Sequence, residues 1–196
     1  MLSADSGTVA EHHESRKELR GLDVAVYAAI AETPTPRLDR AFRRVSATAD
    51  HSKIWLGSAA VLAAVGGAAG RRAAGDGLAS IALASAVVNL VLKPLSARHR
   101  PDRSAHNVPT ARRVPMPHST SFPSGHAASA FAFATGVATD LPAAGIPLSA
   151  AAAVVGYSRV HTGVHYPADV IAGSITGASL APIAILLRRR SRRAAR

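Results

Sequence analysis

Residues 77–101 read GLASIALASAVVNLVLKPLSARHRP, and the fold class turns on them. From Gly77 to Leu92 no side chain ionises; the run then meets Lys93 and, beyond Leu95, the basic stretch holding Arg98 and Arg100. An uncharged segment of this length matches the roughly 20 apolar residues that carry a helix across a bilayer. A surface helix of a soluble bundle would show a charged stripe on one side, and this segment has none. Gly77–Leu95 is therefore expected to be a membrane span with its basic end at a membrane surface.

Outward from it, four more runs have the same character: Ile54–Gly70, Gly125 to about Thr139, Pro142 to Tyr157, and Pro167 to Leu187. Each is short and rich in Ala and Gly. Breaks that carry Arg, Pro and Asp separate them. The pattern predicts an all-α, integral membrane helical bundle of five to six spans. Gly66/Gly70 and Gly173/Gly177 have the small-xxx-small spacing that lets membrane helices approach closely. The expected organisation is a polar, mobile N-terminal arm over 1–20, then a short apolar segment and a basic amphipathic, interfacial helix over 21–53. A membrane domain follows over 54–187, with a basic tail, RRRSRRAAR, over 188–196. The arm lacks the apolar core of a signal peptide. Its adjacent His12 and His13 read as solvated.

Charge and composition narrow the partners. The formal net charge is +11, which favours anionic ligands. Only 4% of residues are aromatic, poor material for stacking bases, so no nucleic acid is expected. With no cysteine the chain has neither disulfides nor thiolate metal sites. The tail after the last span reads as a cytoplasmic anchor.

The chemically active side chains lie at span ends. Lys93 closes the second run and Arg100 follows it. Ser124, Gly125 and His126 open the third, Arg159 closes the fourth, and His165 and Asp169 open the fifth. In an up-and-down bundle these ends share one membrane face. Lys93, Arg100 and Arg159 would supply positive charge, Arg as a two-pronged donor and Lys as a point charge. Ser124 is placed to cap its helix, whose first free N–H groups, at Gly125 and His126, would meet an anion. Pro167 suits the first helical position, so Asp169 falls in the first turn and can orient the ring of His165. An oriented imidazole is a competent nucleophile, and His126 is free to protonate a leaving oxygen. The set predicts phosphoryl transfer with no metal and no cofactor, the cations balancing charge on the phosphoryl oxygens.

Three motifs carry a family resemblance: KPLSARHRP (93–101) fits K-x6-RP, PSGH (123–126) the second motif, and SRVHTGVHYPAD (158–169) fits SR-x5-H-x3-D. The chain resembles the type 2 phosphatidic acid phosphatase (PAP2) family, which is related to bacterial acid phosphatases and vanadium haloperoxidases. The resemblance runs from about Ile54 to Leu187. It implies that Lys93, Arg100, Ser124, Gly125 and Arg159 bind phosphate and that His165 becomes a phosphohistidine. It further implies that Asp169 orients His165, that His126 is general acid and then activates water, and that no metal is needed. Membrane members commonly have six spans; here the 21–53 region stands where the first would be.

The expected function is a lipid phosphatase of a bacterial plasma membrane, multi-pass, with its site on the extracytoplasmic face. The substrate would be a polyprenyl diphosphate, phosphatidate, phosphatidylglycerophosphate or prenyl-phosphosugar phosphate, with membrane lipids as surroundings. The sequence carries no signal of oligomeric state. Three rival functions fit the sequence less well. A serine hydrolase built on Ser124 lacks the G-x-S-x-G elbow. A vanadate-dependent haloperoxidase is ordinarily soluble and longer. A non-catalytic basic membrane protein would bind nucleic acid or anionic lipid through the Arg-rich tail and arm, but the tail reads more simply as a cytoplasmic anchor. Outside the motifs, Arg98, Arg103, Arg112 and Arg113 are expected to form a basic rim for lipid headgroups, and Asn89 to bond between helices.

Overall fold

A computed structural model of the chain describes residues 6–195. Among the described residues all regular structure is helical: α1 Ser6–Glu32, α2 Pro36–Thr48, α3 Lys53–Val65, α4 Gly67–Val87, α5 Gly125–Ala138, α6 Pro142–His161 and α7 Pro167–Ala194. Prolines start α2, α6 and α7, where a missing N–H costs nothing. One wider, π-type turn, Val88–Leu92, continues α4 to the edge of Lys93.

The bundle is built around α5. Nine of its residues, from Ala127 to Val137, are buried, and it packs on α4, α6 and α7. Its 14 residues rise only about 21 Å, short of a bilayer core; a helix enclosed by its neighbours need not face lipid along its length. Among the described residues, three helices are long and apolar enough to cross a membrane: Gly67–Leu92, Pro142–His161 and Pro167–Ala194. Leu56, Val61, Leu78, Leu90, Ile146, Val154, Ile171, Ile175 and Ile183 lie exposed on the outside of the helices, as lipid-facing residues should.

Glycines set the closeness of the core. A Cβ on Gly173 would collide with the carbonyl oxygen of Ser124, and one on Gly177 with that of Ala128. The Gly173/Gly177 pair thus lets α7 lie directly on α5, as its spacing predicted. Gly66/Gly70 does something else. The helix breaks at Gly66, Gly67 takes φ +58°, and a Cβ on Gly66 or Gly70 would strike the Leu62 carbonyl oxygen. These glycines fold α3 back onto α4 in a tight turn.

Several expected boundaries shift. The expected first run ends at Val65 rather than Gly70, and α4 begins ten residues before Gly77, taking in Arg71, Arg72 and Asp76. Asp76 is fully buried yet tolerated in the helix because Arg188 and Arg189 of α7 pair with it, Arg189 at 2.6 Å. Arg189 also reaches Asp140 at 3.0 Å. These pairs draw α7 on as a helix through the basic segment after Leu187. At the other terminus α1 runs unbroken through residue 20, so the polar arm from Ser6 onward and the short apolar segment are one helix; residues 1–5 lie outside the described residues. The basic amphipathic helix is α2. It packs on the C-terminal end of α6, with Phe42 edge-on to Tyr157 at 5.0 Å.

Candidate active site

α4 ends, α5 begins, α6 ends and α7 begins at one end of the bundle, and the expected site residues meet there. Arg100 is the hub. Its Nη1 donates to His165 Nε2 at 3.2 Å and to the Val164 carbonyl at 3.1 Å, while Nε donates to the Ser119 carbonyl at 2.8 Å. A guanidinium can only donate, so Nε2 of His165 is the acceptor and the ring proton sits on Nδ1. That Nδ1 faces Asp169 Oδ2 at 3.5 Å, with Ser121 Oγ at 3.4 Å. His165 is 1% exposed. Burial disfavours its charged form and Arg100 and Arg159 add to this, so its pKa falls to about 3 against the pull of Asp169. A neutral imidazole with its lone pair aimed among cations is the arrangement a nucleophile for phosphorus requires.

Asp169 is held from several sides. Its Oδ2 accepts from Ser121 Oγ at 2.5 Å and from the Tyr166 N–H at 2.9 Å, closing a box at the α7 N-terminus. Its Oδ1 accepts from Arg98 Nη1 at 2.9 Å. Arg98 also pairs with Asp23 of α1 and lies 4.4 Å above the Tyr166 ring. Asp23 in turn accepts from the Ala168 N–H at 2.8 Å.

Ser124 is fully buried and caps α5, accepting from the Ala127 N–H at 3.5 Å; its own N–H donates to the Asp169 carbonyl at 2.9 Å. That bond ties the α5 terminus to the first turn of α7. A Cβ added to Gly125 would sit 3.8 Å from Lys93 Nζ, so the ammonium lies over the helix terminus. Lys93 donates to Ser119 Oγ at 3.1 Å. Burial and the nearby Arg100 and Arg159 lower its pKa below the ordinary lysine value. Arg159 is 1% exposed and donates to Ser46 Oγ at 2.5 Å. Its Nε is buried with no partner among the described residues, a costly state that a bound anion would relieve. His126 Nε2 lies 2.8 Å from Asp50 Oδ1. Lys93, Gly125 and His126 line a cavity of about 170 Å³.

All eight residues singled out in the motifs thus gather at one end: Arg100 beside His165 and Asp169, Lys93, Gly125 and His126 around the cavity, Ser124 at the α5 cap and Arg159 at the end of α6. No group of three or more His, Asp or Glu side chains that could hold a metal occurs among the described residues.

Sequence reasoning missed Asp23, Ser46, Asp50, Ser119 and Ser121. Only Ser119 and Ser121 had a signal, in the polar run HSTSF (118–122) just before PSGH. The expected basic rim is also different. Arg98 is spent on Asp23 and Asp169; Arg103 donates to the Gly163 and Val114 carbonyls; Arg113 donates to the Val108 carbonyl. Arg112 is fully buried, donating to Asp39 and to the carbonyls of Ile30, Ala31 and Thr33. Arg103 and Arg113 meet carbonyls of irregular backbone, Arg112 meets those at the end of α1, and Arg98 meets buried carboxylates, so each arginine answers an unmet need inside the fold. Asn89 likewise bonds within its own helix, to the Ser85 carbonyl at 2.9 Å.

The sequence profile of the PAP2 superfamily matches residues 73–193. The decaprenylphosphoryl-5-phosphoribose phosphatase of Mycobacterium tuberculosis (strain H37Rv) is 36% identical over 164 residues, 82% of this chain and 85% of that protein. The lipid A 1-phosphatase of Rhizobium johnstonii is 45% identical over 58 residues, 30% of this chain and 24% of that one. Among solved structures, Aquifex aeolicus LpxE superposes with a TM-score of 0.68 at 25% identity, covering 84% of this chain and 94% of that one. A PAP2-type phosphatidylglycerolphosphate phosphatase of Bacillus subtilis gives 0.65 at 23% identity, over 88% and 87% of the two chains, a likeness of fold. The chain belongs to the PAP2 superfamily. It is a membrane phosphatase of that family.

Proposed function

We propose that the chain removes a phosphate from a membrane lipid through a phosphohistidine at His165. The lone pair of His165 Nε2 attacks phosphorus while the bond to the lipid oxygen breaks. His126 gives that oxygen its proton. Water then attacks the phosphorus while His126 takes the water's proton; the phosphorus–nitrogen bond breaks, its electron pair returns to Nε2, phosphate leaves, and His165 is neutral again. Lys93, Arg100 and Arg159, with the N–H groups at Gly125 and His126 beneath the Ser124 cap, hold the phosphoryl oxygens where charge builds. Asp169 keeps the proton of His165 on Nδ1.

The observation that carries this reading is the orientation of His165, with Nδ1 toward Asp169 and the Nε2 lone pair toward Arg100. The relative from M. tuberculosis, matched over most of both chains, favours a prenyl-phosphosugar phosphate among the four candidate lipids. The proposed location is the bacterial plasma membrane with the site on the extracytoplasmic face. Arg190, Arg192 and Arg193 are exposed at the opposite end, where positive charge marks the cytoplasmic side. Much of the charge at the site end is turned inward.

The test is phosphate release by detergent-solubilised protein in EDTA, across polyprenyl diphosphate, phosphatidate, phosphatidylglycerophosphate and a prenyl-phosphoribose phosphate. Release by the wild type and none by His165→Ala is expected, fastest on the phosphoribose lipid. Equal release by His165→Ala would remove the phosphohistidine. A preference for another lipid would reassign the substrate.

A further inference from the structure

We infer that Asp50 is a positioning residue for the proton-transferring His126, forming with it a second carboxylate–imidazole pair that comes from outside the three motifs. This rests on the phosphatase reading above and adds a residue to the same site.

Asp50 lies in the short helical turn Asp50–Ser52 between α2 and α3, upstream of the 73–193 region that matches the family. Its Oδ1 is 2.8 Å from His126 Nε2 and 3.8 Å from Arg159 Nη1. A carboxylate only accepts, so Nε2 of His126 carries a proton and Nδ1 remains for the substrate side. The second carboxylate matters because of its setting. Lys93 lines the same cavity and Arg159 stands beside Asp50. Positive charge there favours the phosphate but opposes the second proton that His126 must hold to act as an acid. Asp50 is the one carboxylate within hydrogen-bond reach of the His126 ring among the described residues. It offsets the cations locally and fixes the plane of the ring.

The backbone shows that this placement is built. His51 and Ser52, neither of them glycine, take φ 55° and 58°, in the left-handed region that such residues rarely enter. Paired outliers of this kind persist where surrounding packing over-determines them, and they concentrate at functional sites. The packing is present on both sides. Ala49 is 3% exposed, and Trp55 is 1% exposed with its ring 5.6 Å from that of Phe133 on α5. Four residues before Asp50, Ser46 accepts from Arg159. The turn is pinned at each end and Asp50 is presented to the start of α5 between the pins.

The experiment is a double-mutant cycle in detergent, with kcat and KM measured on the lipid phosphate that the wild type prefers. Asp50→Asn is expected to lower kcat by about 100-fold or more, the scale of general acid–base catalysis, with KM changed by less than about threefold. In a His126→Ala background it should cost nothing further, because its partner is gone. Asp50→Glu, which keeps the charge one methylene away, should fall between the two and serves as the test if Asp50→Asn does not fold. Loss of kcat that multiplies with that of His126→Ala would overturn the inference, as would a change confined to KM in either direction. If the wild type releases phosphate and Asp50→Asn matches it, the inference alone fails. If the wild type releases none, the phosphatase reading fails and the inference with it.

Discussion

At the scale of the residue, His165 sets the terms. Buried among cations, it stays neutral where a free histidine would protonate. For enzymology this means that no acid limb above pH 4 in kcat/KM belongs to His165. For stability the sign follows from proton counting. Below about pH 6.5 the unfolded chain binds a proton at this position, while the folded chain binds none until about pH 3. Stability at this site is therefore lost as pH falls through 6.5. The melting temperature in detergent should drop between pH 7 and pH 4, and His165→Gln should flatten that slope; an unchanged slope would mean that the ring is not held neutral. Because a phosphorus–nitrogen bond hydrolyses in acid and survives in base, an alkaline denaturing quench of substrate-loaded enzyme should trap labelled phosphate on the wild type and none on His165→Ala.

Elements are held in place by a few strong contacts. Arg112 joins the α1–α2 junction to the long loop, and Asp39 of α2 accepts from Arg112 at 2.7 Å and from His161 of α6 at 3.1 Å. Burial would raise the Asp39 pKa, yet hydrogen bonds from Thr35 and Arg112 outweigh it and hold the carboxyl below its usual range. Removing one partner strands a buried charge. Arg112→Ala should cost about 3–5 kcal/mol, read as a lower melting temperature and as new proteolysis between α1 and α2. Where α7 crosses α5, Gly177→Ala forces a methyl group against the Ala128 carbonyl. Overpacking of that kind costs about 1–3 kcal/mol. It should also cut turnover, since the same α5–α7 packing holds the Ser124 N–H on the Asp169 carbonyl. Gly57, with open space around it, is the matched control: Gly57→Ala should leave both unchanged.

For the whole molecule the open question is orientation, and the absence of cysteine makes it directly measurable. Ser104 is exposed on the loop at the site end and Ser191 is exposed at the far end. A membrane-impermeant maleimide should label Ser104→Cys in intact cells, and Ser191→Cys only after the cells are opened. The reverse pattern would put the site in the cytoplasm.

What the sequence determined by itself was the helical class and the helix ends at which the eight motif residues sit. The reason is physical: uncharged runs and their punctuation are local signals. In an up-and-down bundle, knowing which helix end a residue occupies is enough to know its side of the membrane. Close crossing at Gly173 and Gly177 was legible for the same reason, because spacing along one helix encodes it. The tertiary structure alone decided the rest. Gly66 and Gly70 have the same spacing but sit on either side of a break, and only the fold shows that they make a turn. Asp50 is 76 residues from His126, and Asp23 is 75 from Arg98; no local pattern links such pairs. The arginines of the long loop looked like a surface for lipids. They turn inward to meet buried carboxylates, the carbonyls at the end of α1 and the carbonyls of irregular backbone, demands that exist only once the chain has folded.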